Sequence, residues 1–465
     1  MACAAYPPNL ADENARLIVF RMISRVVHHT KGLPSLRSHS KYIAQYLCRA
    51  SSSAAASVPL IDRQVVSRAR EPLPVEPSSV VTADLKRMPD EQALVDLFGR
   101  KHTYLRVSLT EKCNFRCTYC MPEEGVTLTK KDELPTLEER KRLVNIFVRL
   151  GVRKLRFTGG EPTVSKQLLP LLEHAGALFS PDADADADAD INAAGAGSGA
   201  QRQLAIESAG ITTNGYALKQ QIPALVAAGL TSVNISLDSL QQEKFASLTR
   251  RKGTAMLRVL SAVYAAVDAG LKTKINCVLM AGTNDDELGD FVKLTRDTDI
   301  DVRFIEYMPF DGNKWKSKSL LGYRDAIARL EHEHGIILEP ATRAAKIDIA
   351  DGGADLSELA DPNDTTKWFR APGHVGRVGF ITTMTQNFCG SCNRLRLTAD
   401  GKLKVCLFGQ DELSLLDCMR EGMSDEEVIM QMAGAVRRKE ARLGGETTAE
   451  DLVGAKNRSM IMIGG

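Results

Sequence analysis

Six of the ten cysteines fall into two triplets whose spacing can do chemistry. Cys113, Cys117 and Cys120 stand in the run CNFRCTYC with C-x3-C-x2-C spacing, and Cys389, Cys392 and Cys406 stand in FCGSCNRLRLTADGKLKVCLF with C-x2-C-x13-C spacing. A four-iron cubane ordinarily takes four thiolates, so a triplet leaves one iron open to a small molecule. Two open clusters in one chain point to an enzyme rather than an electron carrier. Zinc is the rival metal, but a structural zinc site takes four protein ligands, and neither triplet has a fourth Cys or His at finger spacing.

Cations stand where a strand would bury apolar residues: Arg106 in LRVSL, Arg156 in LRFT, Lys274 in TKINCVL and Arg303 in VRFIEY. Side chains alternate along a strand, so these four point away from the helix-facing side unless they snorkel at a strand end. Arg394 and Arg396, two and four residues after Cys392, share one strand face in the same way. Burying unpaired cations costs several kcal/mol each. Pairing with Glu161, Asp238 or Glu306 is the internal solution, and a bound polyanion such as a triphosphate is the external one.

The elements that must carry these residues alternate. β-Rich runs at Tyr104–Leu109, Lys154–Thr158, Ile206–Thr212, Val233–Leu237, Lys274–Met280 and Val302–Met308 are separated by helical stretches such as Leu137–Leu150 and Ala255–Ala269. In the last of these, Leu257, Leu260, Val263, Tyr264 and Val267 recur at helical spacing and predict one buried face. Six βα repeats predict an α/β fold, a partial (β/α)6 TIM-like barrel with its site at the C-terminal ends of the strands. Beyond it, β-rich runs at Arg377–Thr383 and Leu395–Val405, the second folded at Asp400-Gly401, predict a C-terminal extension carrying the second triplet, with a helix over Ser424–Arg442. The expected division is 1–90 leader and linker, 91–310 partial barrel and 311–465 auxiliary region.

A net charge of +2 gives no global polyanion-binding field, so nucleic acid is not an expected partner. No apolar run approaches the ~20 residues that cross a bilayer, so no membrane partner is expected. Clustered C-x2-C spacings in a long chain read as metal ligation in a reducing compartment, and Cys3, Cys48, Cys277 and Cys418 read as small apolar fillers. From Ala15 to Ile61 there is no Asp or Glu, while Arg and Lys alternate with apolar residues and Ser. That composition predicts an organellar transit peptide, mitochondrial in first place and plastid in second. The alternating Asp-Ala run within 182–200 is low-complexity and reads as a surface loop, lacking the spacing and Glu of an EF-hand. Ile347–Thr366 reads as a second loop.

CNFRCTYC together with Thr158-Gly159-Gly160-Glu161-Pro162 resembles the radical S-adenosylmethionine superfamily. That resemblance implies a [4Fe–4S] cluster on Cys113, Cys117 and Cys120 whose open iron chelates S-adenosylmethionine, releasing a 5′-deoxyadenosyl radical. It implies cofactor contacts from Tyr119, Gly160, Ser236 and Met308. With the second triplet, the R-x-R pair, TTNG, NISLD, RFIEYMPF and GRVGFIT, the resemblance narrows to the GTP 3′,8-cyclases of molybdenum cofactor biosynthesis, over about Leu97–Gly465. Positions resembling that family's GTP contacts are Arg106, Arg156, Thr212, Lys274, Arg394, Leu395 and Arg396, with Arg394 and Arg396 also expected to be essential to the reaction. A second [4Fe–4S] cluster on Cys389, Cys392 and Cys406 is implied to hold the guanine, and Gly464-Gly465 to form a tail reaching into the site. After GGEPT this chain has Ser165, Lys166 and Gln167 where the family commonly has Arg then Asp, which puts a helix-start ion pair in doubt.

The expected activity is conversion of GTP to (8S)-3′,8-cyclo-7,8-dihydroguanosine 5′-triphosphate. Expected associates are a second copy of the chain, an external low-potential electron donor and, along the pathway, cyclic pyranopterin monophosphate synthase. The alternative is a radical enzyme that modifies a peptide with the help of an auxiliary cluster; a non-catalytic iron–sulfur carrier comes third.

Overall fold

Each β-rich run becomes a strand of one sheet, because alternation gives it one apolar face for the helices and leaves the other for polar side chains. The computed structural model describes residues 88–122, 124–179, 206–341, 363–446, 448, 450–454 and 457–464. The N-terminal basic segment, the Asp-Ala run, most of the Ile347–Thr366 loop and Gly465 lie outside the described residues. The strands are β1 (Tyr104–Ser108), β2 (Lys154–Thr158), β3 (Ser208–Thr213), β4 (Ser232–Ser236), β5 (Lys272–Leu279), β6 (Ile300–Glu306), β7 (Glu339–Pro340), β8 (Thr366–Arg370), β9 (Val378–Ile381), β10 (Arg394–Leu397), β11 (Lys402–Lys404) and β12 (Glu412–Ser414). Their order in the sheet is β12-β11-β10-β1-β2-β3-β4-β5-β6-β9-β8-β7.

β1 to β6 pair in parallel in sequence order, as six βα repeats require. β10 adds in parallel to β1 and β9 in parallel to β6, extending the parallel array on both sides. The intervening helices include α1 (Leu137–Arg149), α2 (Leu168–Gly176), α3 (Leu218–Ala227), α4 (Gln242–Thr249) and α5 (Ala255–Asp268). α1 starts at a capping box, with the Thr136 hydroxyl accepting from Glu139 N and the Glu139 carboxylate accepting from Thr136 N. Leu105, Val107, Leu155, Phe157, Ile211, Val233, Ile235, Ile275, Val302 and Phe304 line the helix-facing side at 0–1% exposure.

α5 turns a different face inward from the one its large residues predict. Ala255, Met256, Val259, Ala262, Val263 and Ala266 are buried, whereas Leu257 and Tyr264 are 53% and 43% exposed. Leu260 and Val267 pack at the margin. A stripe of alanines lets the helix lie close to the sheet, and close packing outweighs the burial of two larger side chains elsewhere.

The sheet curls. Arg394 on β10 donates to the Asn363 carbonyl at 3.1 Å and the Thr365 hydroxyl at 3.3 Å, just ahead of β8, although seven strands separate β10 from β8 in the sheet. The far edges therefore meet across a lumen, and the side chains that alternate away from the helices point into it.

Candidate active site

The loop after β1 carries Cys113, Cys117 and Cys120, all free thiols. Burial pushes all three up, Cys120 to about 12; Cys113 also raises Cys117 and Cys120, and Cys120 raises Cys117, so they stand close together. Phe115 N donates to Cys113 Sγ at 3.3 Å, and Asn214 Nδ2 reaches the same sulfur at 3.9 Å. Donors aimed at sulfur, one backbone and one side-chain, favour the thiolate that a metal needs.

Gly159 and Gly160 are needed for the root of this loop. A Cβ on Gly160 would sit 2.5 Å from the Lys112 carbonyl oxygen, and one on Gly159, at φ +151°, would sit 2.6 Å from that of Thr110. The glycines thus bring the end of β2 against the cysteine loop, with Gly160 N donating to Thr110 O at 2.6 Å and Glu161 N to Lys112 O at 2.9 Å. Glu161 is buried and accepts from Thr163 N and Oγ1, Thr213 Oγ1 and Asn214 N, tying β2 to the end of β3. Asn214 in turn holds Asn114 of the loop at 2.7 Å.

The strand cations share one face. In register, Arg396 of β10 lies beside Arg106 of β1, and Arg106 beside Arg156 of β2. The carboxylates expected as internal partners are engaged elsewhere: Glu161 as above, Asp238 by Tyr119 Oη and Val278 N, and Glu306 by Met384 N and Thr385. Lys274 does find a carboxylate that the sequence did not single out, Asp301, at 3.2 Å, and Arg377 shares it at 2.6 Å. Arg303 donates to Asn276 Oδ1 at 2.8 Å. Among the described residues Arg156 donates to no carboxylate: its partners are Tyr104 Oη at 2.7 Å, Ile211 O at 3.0 Å and Ser232 Oγ at 3.2 Å.

Burial and crowding of like charge both weaken these cations. Burial, then Arg106, brings Arg396 to about 9; burial, then Arg156, brings Arg303 to about 10, although three strands separate β2 from β6 in the sheet; burial, then Arg303, brings Lys274 to about 8. Ser108 Oγ, Thr212 Oγ1, Asn234 Oδ1, Arg394 Nη1 and Arg396 Nη1, all on this face, are buried without a protein partner. Buried polar atoms left unpaired in such number on one surface fit a polar, anionic ligand.

The second triplet closes the same chamber. Leu443 N donates to Cys389 Sγ at 3.4 Å, and Lys439 Nζ, itself buried, donates to Cys392 Sγ at 3.4 Å. Burial pushes Cys389 up; at Cys392 burial also acts upward and is the largest single influence, but Lys439 and Arg394 together outweigh it and the thiol is lowered overall. Cys406 and Cys392 both raise Cys389, so the three sulfurs of this triplet stand near one another. Among the described residues, no three His, Cys, Asp or Glu side chains converge as a single ion needs.

The remaining sequence candidates are spread around the chamber. Tyr119 is buried with its hydroxyl on Asp238 at 2.8 Å; Ser236 ends β4 on the lumen face; Met308 packs beside Phe310, Phe408 and Ile463. Leu395 faces the other way, at 0% exposure in the helix-side core, so only its backbone adjoins the lumen. Arg106 Nη2 donates to the Gly464 carbonyl at 3.0 Å, which brings the end of the described chain to the tops of β1 and β2. Tyr104, Gly210 and Asp301 belong to this surface and were missed, because a Tyr, a Gly and an Asp within strand runs carry no motif.

Residues 107–295 match the family described as the radical SAM superfamily, and residues 300–444 the one described as Molybdenum Cofactor Synthesis C. The chain is 45% identical over 368 residues to Molybdenum cofactor biosynthesis protein 1 of Drosophila melanogaster, covering 79% of this chain and 56% of that protein. It is 43% identical over 383 residues to the protein of Arabidopsis thaliana named "GTP 3′,8-cyclase, mitochondrial", covering 82% and 86%. It is 38% identical over 344 residues to the GTP 3′,8-cyclase of Listeria monocytogenes, covering 73% and 89%. The chain spans little more than half the length of the fly and slime-mould relatives that it matches.

Proposed function

The chain belongs to the GTP 3′,8-cyclase family, and from this we propose that it converts GTP to (8S)-3′,8-cyclo-7,8-dihydroguanosine 5′-triphosphate by radical chemistry. Supporting this reading above all is the row Arg396–Arg106–Arg156, three adjacent guanidinium groups on one buried face between two cysteine triplets. Three forks side by side match the oxygens of a triphosphate and match nothing on a typical neutral peptide.

Cys113, Cys117 and Cys120 would hold a [4Fe–4S] cluster, with Tyr119, Gly160, Ser236 and Met308 around S-adenosylmethionine. Together these groups supply a carbon radical able to remove hydrogen from the substrate ribose. Cys389, Cys392 and Cys406 would hold a second cluster that orients guanine. Arg106, Arg156, Thr212, Lys274, Arg394, Arg396 and the Leu395 backbone would bind and orient GTP, and the lumen would exclude water and oxygen from the radical. A mitochondrial site of action fits the acid-free basic segment at 15–61 and the printed name of the Arabidopsis relative. A homodimer, an external electron donor and a downstream cyclic pyranopterin monophosphate synthase complete the proposal.

Anaerobic reconstitution followed by iron analysis and incubation with GTP tests it. The expected result is about eight irons per chain and GTP-dependent 5′-deoxyadenosine with a cyclised nucleotide. Deoxyadenosine released in response to a peptide and not to GTP would overturn the substrate, and zinc in place of iron would overturn the chemistry.

A further inference from the structure

We propose that Tyr104 is a positioning residue of this chamber, whose hydroxyl holds the Arg156 and Arg106 guanidinium groups where they meet the triphosphate; the inference rests on the function proposed above. Tyr104 opens β1 with the same parity as Arg106, and so faces the lumen. Its cross-strand neighbours are Arg394 on β10 and Lys154 on β2. Arg156 Nε donates to its oxygen at 2.7 Å, the Arg106 guanidinium comes within interaction range of the same oxygen, and the Arg394 guanidinium lies 5.6 Å from the ring centre.

One phenol oxygen thus anchors Arg156 within a group of three buried guanidinium side chains. Gly210 keeps the arrangement open, since a Cβ there would lie 2.8 Å from the Arg156 guanidinium carbon and 2.5 Å from Ser232 Oγ. Arg156 is thus fixed on four sides, by Tyr104, the Ile211 carbonyl, Ser232 and the bare backbone of Gly210.

The charge around Tyr104 gives a readout. Burial pushes its phenol up, but Arg156, Arg106 and Arg394 outweigh burial and bring it down to about 7. The other charged groups facing it are Lys154 beside it on β2 and Arg303 across the lumen on β6. An incoming triphosphate adds negative charge and favours the protonated phenol. Above about pH 7 binding must then take up a proton, and affinity falls as pH rises.

Binding of GTP and of inorganic triphosphate to the anaerobically reconstituted full chain, compared with Tyr104→Phe, tests the idea by calorimetry. Phe keeps the ring and removes only the oxygen. At about pH 6.5 the variant should bind both ligands about tenfold more weakly, the size of one hydrogen bond to a charged group. By about pH 8.5 the gap should close, because only the wild type takes up the proton. With GTP turnover, KM should rise far more than kcat falls, and cleavage of S-adenosylmethionine without substrate should not change, which reports an intact fold. Equal affinities at the lower pH, or a ratio that does not move with pH, would overturn the role of Tyr104. Wild-type protein that binds neither ligand would instead remove the substrate reading on which it rests.

Discussion

Arg396 is an unfavourable residue for an empty protein and a useful one for a full one. It is held at about 9 by burial first and Arg106 second, so its charged form is disfavoured in the folded chain. For a base with a lowered folded pKa, the penalty is fully present below both values, which includes neutral pH. Arg396→Ala should therefore leave the melting temperature unchanged or raise it, while cyclisation falls by at least about a hundredfold, the effect of losing a charge-assisted contact. Scanning calorimetry and product analysis check the two halves, and a clear loss of melting temperature would argue that Arg396 is paired within the fold. At this scale the sequence was legible where a charge interrupts an apolar run. It was illegible where the stabilising neighbour is neutral or lies on a distant strand, as with Tyr104 beside Arg156 and Asp301 beside Lys274.

Two glycines, one just beyond β2 and one within β3, should fail in different ways. At Gly160 a Cβ meets backbone of the cysteine loop, which cannot yield without moving Cys113, so Gly160→Ala should lower the iron bound at the first triplet. At Gly210 it meets the Arg156 side chain, so Gly210→Ala should keep its iron and raise KM for GTP by about tenfold, roughly one displaced hydrogen bond. Iron analysis and steady-state kinetics separate the two, and a normal iron content in Gly160→Ala would deny the packing role of the GGEP turn. The strands and helices that hold these residues were legible because their periodicity is local: Lys154–Thr158 was bounded as observed, and α1 to within a residue. The face of α5 was not legible, since the choice between Leu257 and Ala262 is made by how closely the sheet lets the helix approach. Nor was the parallel partner of β1, which no local pattern encodes.

Across the molecule, the turn before β1 is fastened to the segment around the second triplet. Arg100 donates to the carbonyls of Cys389, Glu440 and Ala441, each at 2.8 Å, and pairs with Asp96 at 2.6 Å. His102 donates through Nδ1 to the Leu94 carbonyl and accepts at Nε2 from Lys439 at 2.8 Å. Burial first and Lys439 second bring this imidazole down from 6.5 to about 4. The neutral ring is favoured in the folded state, so stability is present above the unfolded value and is lost as pH falls from 6.5 to about 4, by about 3 kcal/mol. His102→Gln, which keeps a donor and an acceptor, should flatten that slope in urea unfolding followed against pH; an unchanged slope would assign acid loss to other groups.

The pairing of β1 with β10 also fixes an order of events. Asn393 Nδ2 meets Thr103 Oγ1 across 290 residues of sequence, at the point where Arg394 joins Tyr104 in register. Contacts so distant along the chain form late, because the intervening loop must first be closed. During synthesis β1 therefore waits with one flank bare, a site for mispairing between nascent chains, until β10 has emerged. Chains that stop short of Arg394 should accumulate as aggregates rather than as half-enzymes, and the chamber is assembled only when its two walls are already in hand.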